Sequence, residues 1–75
     1  MQETLDRATP GRPLRVADIR GGHNVRSRLA TVGLRPGVTL EVVVRGPLGG
    51  PVVVEIDGAR LAIGRGVARQ VLVEP

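Results

Sequence analysis

The chain contains no cysteine, tryptophan, tyrosine or phenylalanine, and its eleven basic residues are all arginine, so lysine is missing too. Without cysteine there is no disulfide, no thiolate nucleophile and no zinc knuckle, and a reducing compartment suits the chain. Without aromatic rings it has no stacking platform for single-stranded nucleic acid and no aromatic-lined groove for proline-rich peptides. Without lysine it has neither a P-loop lysine nor a Schiff base. Long apolar runs are absent as well, and Met1 to Pro10 mixes acids with bases and lacks the apolar region of a signal peptide. The expected location is cytoplasmic.

What remains is a 75-residue chain of 7.9 kDa, rich in short aliphatics and glycine, with seven acids and a net charge of +4. That length suits one domain spanning 1–75, whose stability must come from dense aliphatic packing; residues 1–3 are expected to be flexible. The basic balance points to an anionic partner, although an all-arginine set also reflects genome composition.

Hydrophobic period divides the chain. Thr4 to Gly11 reads as one helical turn stopped by Pro10-Gly11. Leu14, Val16 and Ile19 alternate loosely as a first strand ended by Gly21-Gly22. Val25, Leu29 and Val32 then fall at i, i+4 and i+7 of one short helix, with Gly33 placed to cap it and Pro36-Gly37 barring its continuation.

Period two follows, with Val38, Leu40, Val42 and Val44 on one side of a strand. A turn segment, Gly46 to Pro51, leads to two strands, Val52 to Ile56 and Ala59 to Ile63, joined by Asp57-Gly58. That two-residue turn fixes the register: Ile56 with Ala59, Glu55 with Arg60, Val54 with Leu61, Val53 with Ala62 and Val52 with Ile63. Across the earlier hairpin the expected pairs are Val44 with Val52, Val43 with Val53 and Glu41 with Glu55, which would make Val43, Val53 and Ala62 an outer apolar row. Gly64 to Arg69 reads as a tight or 3₁₀ turn, and Gln70 to Val73 as the last strand. The predicted fold is mainly β: a small five-stranded barrel with one short α-helix, closed because closure removes exposed edges.

Chemistry-bearing residues are sparse. His23 and Ser27, four apart on the helix, are the single base-hydroxyl pair; they lack an orienting carboxylate, and a solvated helix end is the plainer reading. One histidine and no cysteine cannot make a zinc site. Glu41 beside Glu55 offers carboxylate oxygens to a hard cation, but Arg60 is the nearer counter-charge. Catalytic, metal and cofactor residues are therefore expected to be absent. The arginines are more informative: Arg26, Arg28 and Arg35 flank the helix and its following turn, and Arg45 and Arg65 lie at loop edges that a barrel brings close. A solvated face is the bland account, an acidic protein surface the sharper one, and nucleic acid is disfavoured without interleaved aromatics.

The order and spacing of these pieces resemble the FeoA family, ferrous iron transport protein A, whose SH3-like barrel also ends DtxR-type metalloregulators. The carriers are Leu5-Asp6 through Pro10-Gly11, Ile19-Arg20-Gly21-Gly22, and Arg28-Leu29 through Gly33-Leu34-Arg35-Pro36-Gly37. They continue with Pro47-Leu48-Gly49-Gly50-Pro51, Leu61-Ala62-Ile63, and Ala68 before Val71-Leu72-Val73. The resemblance implies an SH3-like fold and a non-catalytic accessory of bacterial Fe(II) uptake. It implies contact with the cytoplasmic GTPase domain of a FeoB-type permease, association with the membrane only through that permease, and no small-molecule substrate. It draws attention to Arg26 through Gly37, so the candidate partner-binding set is Arg26, Arg28, Leu34, Arg35, Arg45 and Arg65. The chain departs from the family pattern at Gly50, where Asp is usual, at Gly64, where Arg is usual, and at Val67, where an acid is common. Two alternatives remain: a freestanding regulator-type barrel in metal-dependent transcription control, and a basic barrel that binds nucleic-acid phosphates.

Overall fold

The computed structural model describes residues 2–75. Six strands form one sheet in the order β1-β6-β2-β3-β4-β5, all neighbours antiparallel: β1 Glu3–Thr4, β2 Pro13–Ile19, β3 Thr39–Arg45, β4 Val52–Ile56, β5 Ala59–Ile63 and β6 Val71–Glu74. A 3₁₀ turn, Leu5–Arg7, follows β1; helix α1, His23–Thr31, lies between β2 and β3; and a single α-turn, α2, Arg65–Ala68, joins β5 to β6. The strand beyond the five expected is β1, whose Glu3 pairs with Val73 inside the stretch expected to be loose. Met1, in that same stretch, lies outside the described residues.

The sheet wraps around one aliphatic core of fifteen buried residues, among them Leu5, Leu14, Val16, Ile19, Leu34, Leu40, Val42, Val52, Val54, Val71 and Val73. Burial of this kind is worth roughly 1.5–3 kcal/mol per large aliphatic, which is how a chain without aromatics or disulfides can hold a fold.

Asp57 and Gly58 both have positive φ, 50° and 82°, as a type I′ turn needs, and the five β4–β5 pairs are those its two-residue length dictates. The β3–β4 ladder departs from expectation. Glu41 does face Glu55, but a bulge at Val43 sets Val44 opposite Val53 and Arg45 opposite Val52. One extra residue inverts the alternation, so Val44 turns outward to 51% exposure, and the outer apolar row becomes Val44, Val53 and Ala62. A similar irregularity at Ala17 in β2 explains why the buried residues there are Leu14, Val16 and Ile19, not every second one.

The exit of α1 is tightly specified. Gly33 N–H donates to Ala30 O at 3.0 Å and Leu34 N–H to Leu29 O at 2.9 Å, the paired bonds of a Schellman motif with Gly33 at φ 94° as the left-handed C′ residue. That motif wants an apolar residue next, and Leu34 is fully buried. Arg35 to Val38 then form a turn closed by Val38 N–H to Arg35 O at 3.2 Å, with Pro36 pre-set at its second position and Gly37, φ 94°, at its third. Gly37 N–H to Val16 O and Val38 O from Val16 N–H, both 2.8 Å, pin that turn to β2.

Candidate docking face

Helix α1 lies on the barrel with no fully buried residue of its own: Val25 and Leu29 are half-buried against the core, while Val32 falls at the C-cap, just past Thr31, and is 50% exposed. The α-turn α2 brings Val67 alongside. Val25, Leu29, Val32 and Val67, with Arg28 on the wall, line an open groove of about 330 Å³. The floor of this groove is aliphatic. The stripe Val25, Leu29, Val32 reads in the sequence as pure core; the end of the helix at Thr31 leaves its last member and one flank uncovered.

The two helices that form the groove, α1 and α2, carry basic residues and no acid. No acidic residue occurs between Asp18 and Glu41, a stretch that holds all of α1, nor between Asp57 and Glu74, which holds α2. Of the ion pairs among the described residues, Arg15 with Glu74 at 2.8 Å and Arg60 with Glu55 at 3.4 Å lie on the strands, and Arg69 at the C-cap of α2 faces Asp6 at 3.9 Å; none engages Arg28.

The six candidate partner residues separate into distinct roles. Arg28 is exposed, forms no ion pair or hydrogen bond among the described residues, and stands at the groove. Arg35 is exposed at the turn corner, equally unpaired. Arg26 is exposed, yet its Nε donates to Ile19 O at 2.9 Å and braces α1 to the end of β2. Arg45 ends β3 in solvent. Arg65 is occupied within the fold: Nη1 donates to Asp6 O at 3.2 Å and Nη2 to Gly46 O, tying the β3–β4 turn to the 3₁₀ turn. That bond places Arg65 beside the loop that follows Arg45. Leu34 has no accessible surface, so a partner cannot touch it while the barrel is closed; its place in the candidate set is corrected to a core role. Two residues outside that candidate set, Val32 and Val67, complete the face.

The remaining candidates are not gathered into a site among the described residues. His23 opens α1 one turn before Ser27, with no hydrogen bond between them. Glu41 and Glu55 are direct ladder partners, but Glu55 engages Arg60 and no third ligand joins them among the described residues. No helix of the described chain is long and apolar enough to cross a membrane.

Comparison with known proteins agrees with this fold. The family pattern described as the FeoA domain matches residues 3–75. The chain is 34% identical over 67 residues to the "Putative Fe(2+) transport protein A" of Methanocaldococcus jannaschii, covering 89% of this chain and 79% of that protein. The crystal structure of an iron uptake regulatory protein (FeoA) superimposes with a TM-score of 0.89 at 40% identity, covering 99% of this chain and 97% of the other. A manganese-dependent transcriptional repressor superimposes at 0.87 over 97% of this chain, but at 24% identity and over 41% of its own length, a likeness of fold. The six-stranded barrel is thus an SH3-like fold, and the chain belongs to the FeoA family of iron transport proteins.

Proposed function

We propose that this chain is a non-catalytic cytoplasmic accessory of ferrous iron uptake, acting by contact with the cytoplasmic GTPase domain of a FeoB-type permease. The observation that carries the reading is the open aliphatic groove between α1 and α2, set in a stretch of chain with arginines and no acids, on a barrel whose family is one of iron transport. Such a face has what a protein interface needs: apolar area that can be desolvated and a charged rim that orients the partner. Ferrous iron is the transporter's cargo in this reading, which assigns the chain no metal or cofactor of its own.

The test is a titration of isotopically labelled protein with the GTPase domain near physiological salt, followed by amide NMR. Shifts should concentrate on Val25 to Arg35 and around Val67. The triple charge reversal Arg26→Glu, Arg28→Glu, Arg35→Glu should weaken the complex. Unchanged affinity would remove these arginines from the contact. Nucleic-acid binding would instead show affinity falling steeply with salt, as release of condensed counterions requires.

A further inference from the structure

The groove's dimensions and charge say more about what it accepts than that it is a protein. Its floor follows α1 through Val25, Leu29 and Val32, positions i, i+4 and i+7, which at 1.5 Å rise per residue is a track of about 10 Å, two turns of a helix. Val67 supplies the opposite wall from α2, so the slot runs along α1 with an aliphatic residue on each side. A slot of that kind takes the apolar stripe of another helix, with aliphatic side chains spaced three or four apart. Its charge selects among helices. Arg28 stands at the slot with its side chain unpaired among the described residues, α1 also carries Arg26, and neither α1 nor α2 carries an acid. A second copy of this chain is a poor occupant: its charge is also +4, and its own exposed apolar turn residue, Leu48, lies three residues from Arg45.

We infer that the groove receives a short amphipathic helix with an aliphatic stripe flanked by carboxylates, one of which pairs with Arg28. This rests on the reading of the face as a docking surface and names the chemistry of the segment that docks. Desolvation of Val32 and Val67 supplies affinity, while Arg28 and the absence of acids from α1 and α2 set orientation and disfavour basic helices.

The test uses two synthetic alanine-based helical peptides of about 15 residues, long enough to populate helix in water. They share one leucine stripe and differ in carrying glutamate or lysine beside it. The glutamate peptide should shift the amides of Val25, Arg28, Leu29, Val32 and Val67, and the lysine peptide should not. Arg28→Glu should weaken the glutamate peptide about fivefold and strengthen the lysine peptide, the scale of one exposed charge contact. Val32→Ser, at a half-exposed site, should weaken it about threefold to fivefold through lost apolar burial. Equal binding of both peptides, shifts elsewhere on the barrel, or no binding at millimolar concentration would each overturn the proposal. If the glutamate peptide binds as described while the permease domain produces no shifts, the groove chemistry stands and the choice of partner fails. If the permease domain shifts the groove amides but Arg28→Glu does not reverse the peptide preference, the partner stands and the acidic-helix proposal fails.

Discussion

Replacing Leu34 by alanine should destabilise the fold rather than abolish a contact. Leu34 is wholly buried at the residue after the left-handed Gly33, where its side chain closes the Schellman motif over Leu29 and joins the core. Truncating a fully buried leucine costs about 2–5 kcal/mol, the lost transfer energy plus the cavity left behind. A chain of 75 residues has roughly 4–11 kcal/mol of total stability at the usual 0.05–0.15 per residue, so the change removes a large fraction of it. The assay is urea unfolding followed by far-UV circular dichroism, because a protein without aromatics has no intrinsic fluorescence to follow. With an m-value of about 1 kcal/mol/M, the midpoint should fall by about 2 M or more. Val32→Ala, two residues earlier but half exposed, is the control and should fall by less than about 1 kcal/mol. A Leu34→Ala protein within 0.5 kcal/mol (about the noise of surface substitutions) of the parent would refute the placement of this side chain in the core, and would return it to the candidate contact set.

Gly33→Ala meets no atom within 4 Å, so its cost is backbone strain alone at φ 94°, about 1–2 kcal/mol, read as a fall in midpoint of the same urea curve; no loss would mean the helix does not end in the left-handed conformation. Arg65→Leu removes two donors to backbone carbonyls, Asp6 O and Gly46 O, and should lower stability by about 1.5–3 kcal/mol without altering peptide binding to the groove; an unchanged Tm would show the clasp to be idle. Glu41→Thr relieves the like charge facing Glu55 in the ladder and should raise stability by about 0.2–1 kcal/mol, an effect that fades with added salt; a loss at low salt would contradict the register. Val67→Glu places a carboxylate in the groove beside Arg28 and should abolish binding of the glutamate peptide with circular dichroism unchanged; retained binding would mean that Val67 is not part of the contact.

What could be read from the sequence follows from where local chemistry is decisive. Asp57-Gly58 allows one turn type and hence one register, so five ladder pairs follow from two residues. Gly33 and Pro36-Gly37 likewise announce the end of α1 and the turn after it, because positive φ and a fixed φ are properties of single residues. The bulge at Val43 leaves no such mark: Val42, Val43 and Val44 are identical, so no change of residue type reports a slip by one, and Val44 reads as core until the backbone is seen. Burial of Leu34 is legible in principle, since an apolar residue after a C′ glycine packs back on the helix, but the family-like segment Arg26 to Gly37 carries it into the candidate contact set as a block. The groove was hidden for the opposite reason. An aliphatic stripe at i, i+4 and i+7 looks the same whether the barrel covers all of it or leaves the last position open, and that is decided by helix length and by where α2 lies.

The three positions where the resemblance implies a departure from the family pattern can be ranked by their surroundings. Gly64 caps α2 at φ −56° and ψ 147°, and a Cβ there would meet nothing within 4 Å, so the backbone admits arginine and the glycine is no structural necessity. Gly50 sits in the β3–β4 turn, where a Cβ would lie 3.1 Å from Pro47 O; a larger residue needs the turn to give slightly, and the site is on the Arg45 and Arg65 side of the molecule. Val67 differs in kind, because it lines the groove. An acid at that position would stand across from Arg28, supplying in cis the carboxylate that the groove otherwise has to take from a partner. With valine there the wall is aliphatic and Arg28 has no intramolecular ion pair among the described residues, so the groove keeps its apolar wall and an available cation. If the docking face has been retuned in this chain, Val67 is the residue through which the change acts, and Arg28 is where its electrostatic consequence is felt.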